Sequence, residues 1–138
     1  MVRVIRWDDV AGVEERRALI PSERGSELAL DAMRVPPGAS AELSDDLRDT
    51  LLFAHEGACA VGDHELDGPG SLLVPAGEPR TIVAGPDGAS LVCATLGAGT
   101  DLHAPMGAAE PVVALDHVEP GQATGARSFQ VLHGPHNG

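Results

Sequence analysis

Six histidines and two cysteines are the side chains of this sequence whose types best suit metal binding or nucleophilic chemistry. Cys59 and Cys93 stand 34 positions apart, without the close spacing of a metal-ligand pair, which favours two reduced, buried thiols over a bridge or a metal site. His133 and His136, in the terminal HGPH, are near enough to share a metal, but no third ligand is evident nearby. We interpret them as tail residues or as contacts with a second unit.

The remaining chemical motifs are weak. His55 and His64 flank a predicted hairpin at Gly62, and His55 is out of phase with Thr50, so it is expected to face away from a barrel interior. The sequence contains no Gly-rich phosphate loop, no Gly-x-Ser-x-Gly elbow and no Cys-x-x-Cys. The sequence therefore lacks the usual motifs of nucleotide-dependent enzymes and of enzymes with a catalytic nucleophile.

The elements that must position any site are strands. The sequence has 17 glycines and 11 prolines, which interrupt every run of good helix formers and bound short apolar segments, the pattern of an all-β sandwich or barrel. One helical turn is expected, over EERRALI at 14–20, and Pro21 would end it. The predicted strands are 2–7, 27–35, 50–56, 58–61, 71–76, 80–84 and 89–96, with two further candidates at 111–118 and 127–132.

Charge and composition exclude several classes of partner. Twenty-one acidic and nine basic side chains give a net charge of −12, which repels phosphate backbones and anionic lipids. Trp7, Phe53 and Phe129 are the only aromatic residues, so little is available to stack on bases. No apolar run reaches the length of a signal peptide or a membrane span. We expect a cytoplasmic protein that binds neither nucleic acid nor membranes.

Glycines frame the central part of the chain. Gly38 is followed after five residues by Ser44, then after one by Asp46, after three by Thr50 and after six by Gly57. Further on, a second segment contains Pro75, Gly77, Arg80 and Ala84. A positive φ at Gly38 or Gly57 is cheap only for glycine, and Pro-x-Gly suits a corner between strands.

With this spacing, residues 38–84 resemble the cupins, small double-stranded β-helix or jelly-roll barrels. The first cupin motif has Gly, five residues, His, one residue, His, three or four residues, Glu, six residues, Gly. The second ends Pro, any residue, Gly, two residues, His, three residues, Asn. The resemblance implies an all-β cupin barrel in which Ser44, Asp46, Thr50 and Arg80 stand at the positions of the metal ligands.

The substituted ligands argue against a metal. Cupin sites hold divalent iron, manganese, nickel or zinc with imidazoles and a carboxylate, whereas this chain would place the fixed charge of Arg80 where the cation sits. If the strands keep their register, Asp46 and Arg80 could form a bidentate pair supported by Ser44 and Thr50. That pair either fills the former metal cavity or leaves Arg80 to bind a small organic anion, with Asp46 as a possible base. No metal or other cofactor is expected.

The organisation that follows is a barrel with N-terminal strands over 1–97, a linker or crossing loop over 98–111, and extra strands over 112–138. The last segment resembles the start of a second cupin barrel, as in bicupins whose first barrel lacks metal. An apolar strand such as RSFQVL without its own barrel is a template for another chain. We therefore expect a homodimer formed by strand exchange or by pairing of sheet edges.

Three functions are compatible with these features. The first is a non-catalytic barrel with a structural, oligomerising or small-molecule-binding role. The second is an enzyme, acting either without metal on a small anionic substrate through Asp46 and Arg80 or with its metal in a second barrel. The third is a sensor module, for which the sequence marks no partner surface. Substrate and pathway do not follow from the fold.

Overall fold

The described part of the chain is built from β-strands. The computed structural model describes residues 15–21, 28–96 and 110–134, in which the chain forms ten strands and one short 3-10 helix and no α-helix. This confirms the predicted all-β fold. The strands are β1 (Arg16–Ile20), β2 (Leu28–Val35), β3 (Ser40–Leu43), β4 (Thr50–Val61), β5 (His64–Asp67), β6 (Gly70–Val74), β7 (Arg80–Leu96), β8 (Val112–Ala114), β9 (Gly121–Gln122) and β10 (Ser128–Phe129), and the 3-10 helix is Leu115–His117.

Two long strands, β4 and β7, organise the barrel by running through both of its layers. Their 50–57 and 89–96 parts lie at the centre of the order β1-β2-β7-β4-β6-β8, which forms the first layer. Their 59–61 and 82–84 parts pair with each other again, flanked by β3 and β5 in the second layer. All of these pairings are antiparallel. The strands predicted at 50–56 and 58–61 are both parts of β4, and those predicted at 80–84 and 89–96 are both parts of β7.

Glycines make the bend between the layers possible. Gly57 has φ of +78° and Gly88 has φ of +79°, a backbone conformation that side chains with a Cβ rarely adopt. A Cβ on Gly57 would lie 2.1 Å from the carbonyl oxygen of Gly88. The two strands can therefore cross closely at the bend because both residues lack a side chain. The positive φ predicted for Gly38 and Gly57 is also present, at +66° and +78°.

The two layers enclose one apolar core. Leu52, Leu72 and Leu91 of the first layer and Leu66 and Ile82 of the second are each at most 1% exposed and belong to one packed cluster. Burying a side chain of this size contributes about 1.5 to 3 kcal/mol to folding. The other buried members of the cluster are Met33, Val35, Leu43, Ala54, Cys59, Val61, Val74, Ala84, Ala89 and Cys93.

The helical turn predicted for 14–20 is wrong, because residues 16–20 form β1. Arg16 and Ala18 pair with Met33 and Asp31 of β2, and Leu19 is buried against Ala32 on the outer face of the first layer. Tertiary pairing and burial thus override the local preference of a charged, Leu- and Ala-containing segment. The strand predicted at 2–7 lies outside the described residues.

The end of the described chain continues onto the barrel. β8 is the edge strand of the first layer and pairs with β6. It corresponds to the beginning of the strand predicted at 111–118, which then turns into the 3-10 helix. Within the strand predicted at 127–132, residues 128 and 129 form β10, which pairs with the equally short β9. Among the described residues, none of the helices has the length and apolar character needed to cross a membrane.

Candidate functional site

The four site residues predicted from the sequence occupy different environments. Ser44 and Asp46 lie in the loop between β3 and β4, and both are exposed. Thr50 is the first residue of β4 and is buried. Arg80 is the first residue of β7, and its side chain is 36% exposed.

The expected pair between Asp46 and Arg80 is not among the ion pairs of the described residues. The guanidinium of Arg80 instead donates from Nη2 to a carboxylate oxygen of Glu78, two positions earlier. A Cβ built on Gly62 would lie 3.2 Å from Cδ of Arg80, so the aliphatic stem of the arginine covers this glycine. Arg80 therefore belongs to the rim of the barrel, where its charge is partly solvated.

Thr50 has the inward orientation that the alternation of β4 requires. Leu52 and Ala54, which follow it on the same face, both belong to the core. Thr50 lies opposite Thr95 of β7 and opposite Val74 of β6, and all three residues are buried. Two threonines thus stand where the packed interior begins, apart from Asp46 and Arg80.

The loop contains an ion pair that was not predicted from the sequence, between Asp45 and Arg48. Oδ2 of Asp45 accepts hydrogen bonds from Nη2 of Arg48 at 2.7 Å and from Nε at 2.9 Å, and both side chains are largely buried. Its Oδ1 accepts from the backbone N–H groups of Leu47 and Arg48 at 3.1 and 2.9 Å. The hydrogen bond from Arg48 lowers the pKa of Asp45, with burial acting in the opposite direction. An aspartate followed by donors two and three positions later is the sequence signal of such a turn.

This loop is joined to the neighbouring one between β6 and β7. The N–H of Gly77 donates to the carbonyl oxygen of Asp45 at 2.8 Å, and the N–H of Ala76 donates to Oδ1 of Asp49 at 2.9 Å. The predicted Pro-x-Gly corner is present here, with φ of +75° at Gly77. The polar groups at this end of the barrel therefore serve to hold two crossing loops together.

A transition metal of the cupin type does not fit these residues. In the described ranges, no group of three or more His, Cys, Asp or Glu side chains could hold a metal ion, and the positions of the family's ligands carry two hydroxyls, an exposed carboxylate and an arginine. Cys59 and Cys93 are free and buried, as predicted. Burial raises the pKa of Cys59 to about 11 and that of Cys93 to about 12, so neither is the thiolate that a metal requires.

One sheet edge offers backbone groups to a partner. The N–H of Leu73 donates to the carbonyl oxygen of Pro111, and the N–H of Leu115 donates to that of Pro69. In an antiparallel ladder alternate residues face the partner strand, so Val112 and Ala114 direct their N–H and C=O groups away from β6. These two residues line a groove of about 340 Å³ whose other walls are Glu110, Val113, His117 and Val118.

Solved structures share this fold at low sequence identity. The protein BH2720 from Bacillus halodurans superposes with a TM-score of 0.60 and 18% identity, over 69% of this chain and 80% of that chain. The cupin protein BF4112 from Bacteroides fragilis gives 0.54 and 20%, over 64% and 81%. A mutant of the oxalate decarboxylase OxdC from Bacillus subtilis gives 0.51 and 21%, over 63% of this chain.

These likenesses support the fold. The chain spans 27% of the oxalate decarboxylase chain but about four fifths of the other two. No protein-family model matches the sequence, and no curated protein matches it.

Proposed function

Since this chain folds as a cupin barrel, we propose that it is a non-catalytic barrel with a structural role, which assembles with a second copy of itself through the edge of β8. The packed interior carries this proposal. The side chains at the centre of the core, among them Leu52, Ile82 and Leu91, are fully buried and aliphatic. These three side chains stabilise the barrel and contain no group that could bind a cation or move a proton.

Acid–base chemistry at the rim receives no comparable support. Asp46 is exposed, and Arg80 is bound to Glu78. A general base and an anion-binding arginine would have to converge on one substrate, whereas the carboxylate that Arg80 contacts belongs to Glu78. The structural role therefore accounts for more of the geometry than the enzymatic alternative does.

The edge of β8 can pair with a copy of itself. If two copies run antiparallel with Val113 on the twofold axis, Val112 of each lies opposite Ala114 of the other, and their outward backbone groups become partners. Such a contact is self-complementary, as a twofold interface requires. It would also cover the side of β8 on which no other described strand pairs. Val118 and the apolar side chains of the groove would be buried in the same contact.

Charge opposes this assembly. Each copy carries a net charge of −12. Glu110 precedes β8 in the chain and Asp116 follows it. Two such surfaces repel each other at low ionic strength, and salt screens the repulsion over about 8 to 10 Å at physiological concentrations. We therefore expect the dimer to become tighter as salt is raised from about 0.01 to 0.5 M, over which the screening length shortens several-fold.

The test is sedimentation equilibrium of the purified chain and of two variants at position 114. Ala114→Pro removes the outward N–H, and the φ of −84° at this residue tolerates proline. Ala114→Val keeps the N–H and serves as the matched control. We expect the unmodified chain and the Val variant to be dimers and the Pro variant to be a monomer with an unchanged circular dichroism spectrum. A monomer in all three, or a dimer in all three, contradicts the proposal.

The absence of a metal site has a separate test. The protein is incubated with equimolar manganese, iron, nickel or zinc, desalted, and analysed for bound metal. We expect less than about one tenth of an equivalent, since the ligand positions hold no imidazole and the thiols are protonated. One equivalent of bound metal in the unmodified protein would contradict this account of the rim.

A further inference from the structure

A second group of charged residues surrounds a cavity on the outer face of the bend, away from the barrel interior. The cavity has a volume of about 260 Å³ and is lined by Arg34, Glu56, Gly57, Asp87 and Gly88. Arg34 comes from β2, Glu56 and Gly57 from β4, and Asp87 and Gly88 from β7. Three strands held in one sheet thus contribute to it, which fixes the positions of its polar groups better than a single loop would.

Arg34 is held in place by the sheet. It lies opposite Ser90 of β7, and Ser90 lies opposite Glu56 of β4. Nη1 of Arg34 donates to Oγ of Ser90 at 2.7 Å, and its backbone N–H donates to the carbonyl oxygen of Glu15 at 2.6 Å. The side chain is half-buried. Burial lowers the pKa of the adjacent His55, and the positive charge of Arg34 acts in the same direction while Glu56 opposes it.

The charges around this cavity are separated. Among the described residues, Arg34 forms no ion pair within 4.0 Å, although Glu56 and Asp87 line the same cavity. A guanidinium is matched by a carboxylate, and two carboxylates are matched by an ammonium group. A simple anion would be repelled by Glu56 and Asp87, and a metal cation by Arg34. A molecule that carries both charges would complement all three side chains.

We propose that this cavity binds a small zwitterion, an α-amino acid, with its carboxylate on Arg34 and its ammonium group between Glu56 and Asp87. The cavity is below the usual range of about 300 to 1,000 Å³ for sites that take drug-sized ligands, so it fits glycine, alanine or serine better than a large side chain. Gly57 and Gly88 line the cavity with backbone and bring β4 and β7 close together beside the charged groups. The site is independent of the β8 edge.

The first experiment compares the zwitterion with its two halves. Glycine, sodium acetate and methylammonium chloride are titrated separately into the isotopically labelled protein, and amide chemical shifts are followed at equal ionic strength. We expect saturable shifts at residues around the cavity with glycine, and binding at least tenfold weaker with either half, because each half leaves one set of charges without a partner. Acetate that binds as tightly as glycine overturns the proposal, as does the absence of saturable shifts with glycine, alanine and serine.

The second experiment assigns the ligand groups. Arg34→Gln is expected to weaken glycine binding at least tenfold, and Asp87→Asn, at an exposed position, is expected to weaken it several-fold. Arg127→Gln is the control, because Arg127 donates only to Thr124 within the β9–β10 hairpin and should leave binding unchanged. Thermal unfolding of each variant is measured in parallel. If Arg34→Gln does not fold, Asp87→Asn decides, and unchanged binding in the folded variants contradicts the proposal.

Discussion

Among the described residues, charged side chains are paired at the rim of the barrel, where the β3–β4 and β6–β7 loops lie, and unpaired around the bend at Gly57 and Gly88. At the rim, the arginines are bound to carboxylates close by in the chain, Arg48 to Asp45 and Arg80 to Glu78. At the bend, Arg34 shares a cavity with two carboxylates but forms an ion pair with neither of them among the described contacts. Charges that are already paired hold a structure together, whereas charges kept apart by a rigid sheet remain available to a ligand.

The two groups also differ in the distance along the chain between the charged residues. Asp45 and Arg48 lie in one turn, and Glu78 precedes Arg80 by two residues, so either pair can form as soon as its loop forms. Arg34 and Glu56 sit on different strands, and the position of each is set by the ladder of hydrogen bonds around Ser90. The register of the sheet fixes the backbone positions of both residues at the bend.

The proposed structural role of the interior is tested most strongly at Leu52. Leu52→Ala removes a side chain that is 0% exposed, and we expect the free energy of unfolding to fall by about 2 to 5 kcal/mol. Urea denaturation followed by circular dichroism measures it. Leu47→Ala, at a residue that is 78% exposed, is the control and should change stability by less than about 0.5 kcal/mol. Equal effects of the two would contradict the packed interior.

The bend itself is tested at Gly57. Gly57→Ala must accommodate both an unfavourable φ and a Cβ 2.1 Å from the oxygen of Gly88, so we expect a loss of about 3 kcal/mol in the free energy of unfolding. Gly77→Ala has a similar φ of +75° but nothing within 4 Å of its Cβ, and it should cost about 1 to 2 kcal/mol. The difference between the two variants isolates the close crossing of β4 and β7. Equal losses in the two variants would show that β4 and β7 move apart freely at the bend.

The role of the Asp45–Arg48 pair is tested by pH. The pKa of Asp45 is lower in the folded state than in the unfolded chain, so the folded protein binds fewer protons here, and the resulting stability is present above about pH 4 and lost as the pH falls through the folded-state pKa. At pH 7 we expect Asp45→Asn to reduce the free energy of unfolding by about 1 kcal/mol. Urea midpoints of both proteins from pH 7 to pH 2.5 should converge. A gap that stays constant with pH would exclude the ionised carboxylate as its cause.

The smallest effect is expected at the outer end of the rim. Glu78→Gln removes a partly exposed ion pair with Arg80, and pairs of this kind contribute between about zero and 1 kcal/mol. We expect the melting temperature to change by no more than about 2 °C, and less in 0.5 M salt than in 0.05 M salt. A large loss of stability would mean that Arg80 is tied into the interior after all, and would weaken the contrast with Arg34.

The strands could be predicted because their signals are local. Alternating apolar residues bounded by Gly and Pro indicate β2, β4, β6 and β7, and the spacing of Gly38, Gly57 and Gly77 matches the bends that the structure contains. β1 could not be predicted, because its charged segment becomes a strand only when β2 is present to pair with it. The continuity of β7 was missed as well, since residues 85–88 have no partner in the described ladders and the strand is paired on both sides of them.

The candidate sites depended on contacts that spacing does not encode. The frame of the cupin motif pointed to Asp46 as the partner of an arginine, but a shift of one residue decides whether Asp45 or Asp46 meets one, and the turn formed by Leu47 and Arg48 selects Asp45. The cavity at the bend joins Arg34 to Glu56 and Asp87, residues that are 22 and 53 positions away along the chain. Only the register of three strands brings them together.

Because β4 and β7 belong to both layers, we expect the two layers to open together. Amide groups at Leu52 and Ile82, on opposite sides of the bend, should therefore exchange with deuterium at one common rate once local fluctuations are suppressed. A ligand that bound at the bend would then slow exchange throughout the barrel, far beyond the residues it touches.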